Sequence, residues 1–258
     1  IPGSSINPLI ESIRSARQRP HLKVLNKADL ADSKITEQWI SYFNSQPKIN
    51  AISLSAKKTS DIKQILLHCE KLAPHRGTSV KPLRMLIMGV PNVGKSTIIN
   101  ALKNKRIAKV GNVPAVTKMQ QRIEINNSMV LTDTPGMMWP KITNELDGLF
   151  LAASHSIGIN AYDEIETALA LSDTLKEKYP ELLINQYSFK SPIPSDEEFL
   201  RHIASSRNFV MKGKKFDLLK AAITFINDYR SGVIGKISLE SPSSRKLMLE
   251  GSSQHKAS

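Results

Sequence analysis

The chain has 258 residues, long enough to bury a sizeable core and to form one medium and one small domain. With 36 Lys and Arg residues against 23 Asp and Glu its formal net charge is +13, which favours a polyanionic partner. The single Cys69 excludes an internal disulfide, the six histidines lack zinc-ligand spacing, and no run of about 18 apolar residues is present to span a membrane.

The first part of the chain alternates predicted helices with short apolar strands. We expect helices at 7–17, 33–43 and 60–72, and strands at 22–25 and 50–54. A polar segment that could bind a ligand follows each of these strands, which is where ligands sit in open α/β sheets.

Asn26-Lys27-Ala28-Asp29, after the first strand, predicts a site that reads guanine. The Asp29 carboxylate can accept both the N1–H and the 2-amino group of guanine, whereas adenine presents an acceptor and a bare carbon there. We expect Asn26 and Lys27 to brace the pocket. After the second strand, Ser55-Ala56-Lys57 would bring backbone N–H groups to the guanine oxygen. The alternative is an ordinary polar turn at each place.

Residues 89–96 read Gly-Val-Pro-Asn-Val-Gly-Lys-Ser, between a predicted strand at 83–88 and helical spacing at 97–102. Glycines allow a run of backbone N–H groups to wrap the α/β-phosphates. Lys95 would reach the β/γ-phosphates, and the Ser96 hydroxyl would bind Mg²⁺. The predicted nucleotide contacts here also include Asn92, Val93, Gly94 and Thr97.

Two further strands are predicted at 120–125 and 129–132, and the second leads into Asp133-Thr134-Pro135-Gly136. Asp133 would face Mg²⁺ through water, and the Gly136 N–H would face the γ-phosphate. Thr117 is the candidate switch residue that ligates Mg²⁺ only when a γ-phosphate is present. Its alternative is a solvated loop threonine. The predicted metal ligands are therefore Ser96, Thr117 and Asp133.

The order of these segments indicates a circular permutation. The guanine-reading segments lie before the phosphate loop instead of after it. Residues 74–82 (PHRGTSVKP) are predicted to be the linker that joins the original ends, which must be close in space. We assign residues 1–140 to this nucleotide-binding domain.

Residues 141–240 are predicted to form a helical, basic domain, followed by a serine-rich, unordered tail at 241–258. Its helices are expected at 162–179, 196–205 and 216–229. Basic residues concentrate at 98–122 and at 201–236, which suggests phosphate-led contact with folded RNA. The alternative is that these lysines only solvate helix faces.

The ordered set of segments resembles the circularly permuted GTPases of the YlqF/RbgA family, most of all its mitochondrial ribosome-assembly branch. The opening 1–8 and the Met138-Trp139-Pro140 stretch resemble family elements too. The resemblance implies a circularly permuted Ras-like α/β P-loop GTPase domain followed by a small all-α domain. It also implies GTP hydrolysis to GDP, a partner in the large ribosomal subunit and its rRNA, and a mitochondrial matrix location, with peripheral inner-membrane attachment or a bacterial cytoplasm as alternatives.

This chain departs from the family pattern in two places. Ala115 stands where the switch usually has glycine, and the upstream Phe-Pro-Gly-His-Met segment and its strand do not precede Ile1. We therefore expect altered switch geometry and one sheet strand fewer.

Met137 occupies the position where Ras-type GTPases place a water-orienting glutamine, and its thioether can neither donate nor usefully accept a hydrogen bond from water. Hydrolysis should be slow alone, with Lys95, Thr117 and Asn92 as its candidate residues and the ribosomal subunit as activator. Family resemblance suggests that Asn92 helps to hold a K⁺ ion. Two alternatives stay open: a P-loop ATPase or kinase, which Asp29 opposes, and an RNA-binding scaffold that holds nucleotide with little turnover.

Overall fold

The computed structural model describes residues 1–17, 19–103, 120–139, 141–158 and 161–254. The chain divides into two units. We call Pro2–Lys141 together with Glu240–Ser258 the α/β unit, and Ile1 together with Ile142–Leu239 the helical unit.

The α/β unit alternates helices and strands along the chain. In order, these are α1 Pro8–Arg17, β1 His21–Leu25, α2 Ser33–Asn44, β2 Ile49–Ser53, α3 Thr59–Leu72, β3 Leu83–Ile87, α4 Lys95–Lys103, β4 Gln121–Asn126 and β5 Met129–Asp133. The five strands were each predicted to within one residue at either end.

The strands form two small sheets. β1 pairs in parallel with β2, while β5 pairs in parallel with β3 on one side and antiparallel with β4 on the other. Within the described residues, no strand joins the two sheets by hydrogen bonds. The parallel pairs matter most for the site, because their carboxyl ends lead into the loops that carry the predicted ligand-binding residues.

Helices on both sheets supply the core of the α/β unit. Ile52 and Leu54 pack with Ile62 and Ile65 of α3 and with Ile98 of α4. A second cluster joins α2 to β2 through Trp39, Phe43, Ile49 and Ala51. α2 begins where it does because the Asp32 side chain accepts hydrogen bonds from the Lys34 and Ile35 N–H groups.

The helical unit contains α5 Glu145–Ala153, α6 Glu164–Lys178, α7 Pro180–Tyr187, α8 Asp196–Ser206 and α9 Leu218–Ser231. Its core is rich in phenylalanine and small apolar residues, among them Phe150, Phe199 and Phe225. α9 is capped by Asp217 at its start and by Gly232 at its end, with φ +81° at the glycine. Sequence periodicity missed the short helices α5 and α7, and it began α9 two residues early.

The prediction of an unordered tail is wrong for residues 242–254, which form helix α10, Pro242–Gln254. Pro242 suits the first helical position, and the Ser241 hydroxyl accepts a hydrogen bond from the Ser244 N–H at 3.1 Å. Serines in this segment therefore cap a helix, which a composition argument does not detect.

Glu240 fixes the start of this C-terminal segment within the α/β unit. Its carboxylate, 3% exposed, accepts hydrogen bonds from the backbone N–H and the hydroxyl of Ser4, both at 2.8 Å. Its carbonyl accepts one from the Trp39 indole at 2.9 Å. A buried carboxylate with this many donors is well compensated, so Glu240 has a defined place just before α10.

Candidate nucleotide-binding site

The phosphate loop, residues 89–96, runs from the end of β3 into the first turn of α4. Lys95 is 9% exposed, and its ammonium donates hydrogen bonds to the carbonyls of Gly89 at 3.0 Å and Val90 at 2.9 Å. Burial lowers the pKa of the Lys95 ammonium, and the nearby Asp133 carboxylate opposes that effect. The buried charge therefore lies inside the loop, at the N-terminus of a helix, where an anion is favoured.

Asn26 joins the phosphate loop to the segments predicted to read the base. Its side-chain amide donates to the Val93 carbonyl at 2.9 Å and accepts from the Ala56 N–H at 3.0 Å. One side chain thus holds three loops together, although Asn26 and Val93 lie 67 residues apart in the chain.

Gly94 permits this close approach. A Cβ atom at Gly94 would lie 2.2 Å from the Asn26 side-chain nitrogen, and the residue has φ +95°. Both the space and the backbone conformation therefore require glycine.

Asp29, the residue predicted to recognise guanine, is paired with Lys57 at 2.9 Å. Burial raises the pKa of the Asp29 carboxyl, but hydrogen bonds from Lys57 and Ser55 outweigh it, so the pKa lies below its usual value. The carboxyl is therefore ionised near neutral pH, as guanine recognition requires. The Lys57 side chain is 75% exposed, so the pair is weak enough for a base to displace it.

The Ser55–Lys57 segment is already hydrogen-bonded within the protein. The Ser55 N–H donates to Asp61 at 3.0 Å, and the Ala56 N–H is used by Asn26. The Lys57 N–H makes only a long contact of 3.4 Å with the Ser55 hydroxyl. The structure thus brings the segment beside Asn26 and Asp29, and Lys57 has the N–H group with the weakest existing hydrogen bond.

Asp133 ends β5 directly opposite Ile87, the last residue of β3. It is 1% exposed, and its charge acts on Lys95. Ser96 lies in the first turn of α4. A carboxylate and a hydroxyl are the hard oxygen donors that Mg²⁺ takes, with water and phosphate completing its shell. These residues fit a Mg²⁺ ion, which would neutralise phosphate charge. The third predicted metal ligand, Thr117, lies outside the described residues.

The segment after Asp133 lies against the phosphate loop. The Thr134 hydroxyl donates to the Ile87 carbonyl at 2.7 Å, and the Met137 N–H donates to the Gly89 carbonyl at 3.1 Å. A Cβ atom at Gly136 would be 2.9 Å from Pro91. The predicted γ-phosphate sensor and the predicted phosphate loop are therefore in contact.

Sequence reasoning missed several of these contacts. It assigned no function to Asn7, which hydrogen-bonds the carbonyl of Met137 at 3.1 Å, or to the packing of Gly136 on Pro91. The Asn-Pro pair at 7–8 does signal the start of a helix. No local pattern indicates that the same asparagine reaches a loop 130 residues further along the chain.

Comparison with known proteins gives a consistent result. Residues 84–193 match the family model described as 50S ribosome-binding GTPase. Ribosome biogenesis GTPase A of Bacillus cereus is 38% identical over 250 residues, which cover 94% of this chain and 83% of that protein. Mitochondrial ribosome-associated GTPase 1 of Bos taurus is 30% identical over 264 residues, covering 93% of this chain and 79% of its own length.

A solved structure described as GDP-bound YlqF matches with 27% identity and a TM-score of 0.62, covering 86% of this chain and 83% of that one. Fold and loop arrangement define a P-loop GTPase in which the segments predicted to read the base precede the phosphate loop. The chain belongs to the YlqF/RbgA family of ribosome biogenesis GTPases and is itself a GTPase. The predicted family, fold class and enzyme class are thereby confirmed.

Proposed function

We propose that this GTPase assists assembly of the large ribosomal subunit, binding its rRNA in the GTP state and leaving after hydrolysis. The observation that carries the proposal is the similarity over 94% of the chain to a protein named ribosome biogenesis GTPase A. The match of residues 84–193 to a 50S ribosome-binding GTPase model supports the choice of subunit.

A basic hairpin in the helical unit supports contact with RNA. Val210 and Phe216 form an antiparallel bridge, and the Met211 N–H donates to the Lys215 carbonyl at 2.8 Å. Gly213 and Lys214 turn the chain with φ +88° and +61°. We call residues 209–217 the lysine hairpin. This hairpin presents Lys212, Lys214 and Lys215, all exposed.

These three lysines differ from the two arginines that precede them in the helical unit, both of which are in ion pairs. Arg207 is paired with Asp228 at 2.7 Å, and Arg201 with Glu197 at 3.2 Å. Among the described residues, no ion pair includes a lysine of the hairpin. Lysines outside any ion pair can each contact a phosphate, whereas aromatics are only 5% of the chain and offer little base stacking.

Co-sedimentation with large ribosomal subunits tests the proposal. We expect the protein to sediment with subunits in the presence of a GTP analogue and to be released with GDP. When the logarithm of the binding constant is plotted against the logarithm of the salt concentration, changing Lys212, Lys214 and Lys215 to glutamine should reduce the steepness of the slope by about two to three. Thermal unfolding should be unchanged, because the three side chains are exposed.

The matched control changes Lys34, Lys63 and Lys71 to glutamine, an equal loss of charge at exposed positions of the α/β unit. This variant should retain most of the slope. Equal slopes for wild type and the hairpin variant would show that the hairpin does not contact the subunit. Equal sedimentation with both nucleotides would refute nucleotide-dependent binding.

We also propose that hydrolysis depends on the subunit and on K⁺. Met137 follows Gly136 and cannot orient water through its thioether. A partner surface, together with K⁺ held near Asn92, would supply the missing positive charge. Phosphate release should therefore rise on the order of tenfold or more when subunits are added, since one well-placed group contributes at least that much. The rise should be larger in KCl than in NaCl.

The two parts of this proposal can fail separately. Equal rates in KCl and NaCl would exclude the K⁺ ion, and no rise with subunits would favour the alternative of an RNA-binding scaffold with little turnover. A P-loop ATPase is a second alternative, and preferential binding of ATP in competition with GTP would establish it.

For the compartment we propose the mitochondrial matrix, with peripheral attachment to the inner membrane. The bovine mitochondrial relative supports this location, whereas the more similar Bacillus protein supports a bacterial cytoplasm as the alternative. None of the helices within the described residues is long and apolar enough to cross a membrane. Fractionation of the source cells, with release by salt as the test of peripheral attachment, decides between them.

A further inference from the structure

Asn7 uses both ends of its side-chain amide while being only 4% exposed. Its oxygen accepts hydrogen bonds from the backbone N–H groups of Leu9 at 2.9 Å and Ile10 at 3.4 Å, so it caps α1. Its nitrogen donates to the carbonyl of Met137 at 3.1 Å. Helix capping needs only the oxygen, so the donor is available for a second purpose.

The peptide groups flanking the Met137 Cα atom are held from two directions. The Met137 N–H donates to Gly89 of the phosphate loop, and the Met137 carbonyl accepts from Asn7. Gly136, one residue earlier, packs on Pro91. The segment that should sense the γ-phosphate therefore lies between the phosphate loop and the N-terminus of α1.

α1 is itself attached to β1. Glu11 forms an ion pair of 2.5 Å with Lys23, and the side chains are 25% and 13% exposed. The Lys23 ammonium also lies 4.7 Å from the centre of the Phe43 ring of α2. The hydrogen bond from Asn7 thus connects a loop that has no regular structure to a helix fixed on the sheet.

We infer that Asn7 is a positioning residue for the γ-phosphate response: it holds the 134–137 loop against the phosphate loop. A ligand can shift an equilibrium only through contacts that differ between the two states. GTP and GDP differ at the γ-phosphate, which the Gly136 N–H is predicted to face. Holding this loop close should therefore favour GTP over GDP, without a direct contact between Asn7 and either nucleotide.

The substitution Asn7→Asp separates the two uses of the side chain. Aspartate keeps the capping oxygen, and its charge suits a helix N-terminus, but it cannot donate to Met137. We expect affinity for a non-hydrolysable GTP analogue to fall about three- to tenfold, as for the loss of one hydrogen bond, with GDP affinity changed less than about twofold. Fluorescent-nucleotide titration gives both values.

Asn144→Asp is the matched control, since Asn144 caps α5 in the helical unit through its side-chain oxygen. The ratio of its affinity for the GTP analogue to its affinity for GDP should equal that of wild type. Asn7→Ala should show the altered ratio together with a lower unfolding temperature, because the cap is lost as well. A ratio unchanged in Asn7→Asp, or an equal loss for both nucleotides, would overturn the inference. The titration needs no ribosomal subunit, so its outcome is independent of the proposed partner.

Discussion

Asp29→Asn is expected to lower GTP affinity about 100- to 1000-fold, because the carboxylate would no longer accept both hydrogen bonds from guanine. Asparagine can still accept from the N1–H through its oxygen, but its NH₂ group faces the 2-amino group of the base. Xanthine carries a carbonyl at that position, which accepts from the NH₂ group. The variant should therefore prefer XTP to GTP, as measured by competition against a fluorescent nucleotide.

Asp32→Asn is the control for this change. Asp32 lies three residues further along the same loop and caps α2, a position at which asparagine serves as well as aspartate. The control should retain guanine preference and stability. If Asp29→Asn bound GTP as tightly as wild type, Asp29 would have no role in base recognition.

Gly94→Ala is expected to break the contact through which Asn26 connects the phosphate loop to the segments predicted to read the base. The added methyl group would lie 2.2 Å from the Asn26 nitrogen, so Asn26 must leave Val93 or the loop must move. We expect the free energy of unfolding to fall by about 2–4 kcal/mol, from a strained backbone and a broken, partly buried hydrogen bond. GDP affinity should fall about 100-fold or more, since loop N–H groups would lose their alignment.

Gly77→Ala separates backbone strain from this clash. Gly77 has the same φ of +95°, but a Cβ atom there would have no neighbour within 4 Å. It should cost only about 1–2 kcal/mol of unfolding free energy and leave GDP affinity unchanged. Thermal unfolding and GDP titration of the two variants give the comparison. Equal effects of the two substitutions would show that the Asn26 contact contributes nothing.

The parts of the site with strict chemical requirements were predictable from sequence. The phosphate loop needs glycines, a lysine and a hydroxyl at fixed spacing, and the structure has these residues between the end of β3 and the first turn of α4, as expected. Asn26, Asp29 and the Ser55–Lys57 segment follow strands, and the parallel pairing of β1 with β2 brings them together. The strand ends and the order of the motifs were enough to predict that these segments meet, since both can be read directly from the sequence.

Contacts between distant segments were not predictable in the same way. Nothing near Asn7 in sequence indicates Met137, and nothing near Ser4 indicates Glu240, because tertiary packing selects these partners. The error over α10 has a different cause. Serine-rich composition is typical of disorder, yet here Ser241 and Pro242 begin a helix and Glu240 fixes its start. Local capping geometry outweighed average composition.

A crystal structure of the protein with GDP and Mg²⁺ would show whether Asn26–Asp29 and the later phosphate loop bind the same nucleotide. We expect Asp29 to leave Lys57 and to lie about 3 Å from the guanine N1 and 2-amino nitrogens, while Lys95 contacts the β-phosphate of the same molecule. A structure in which Lys95 contacts phosphate while Asp29 remains paired with Lys57, away from the purine edge, would contradict this expectation.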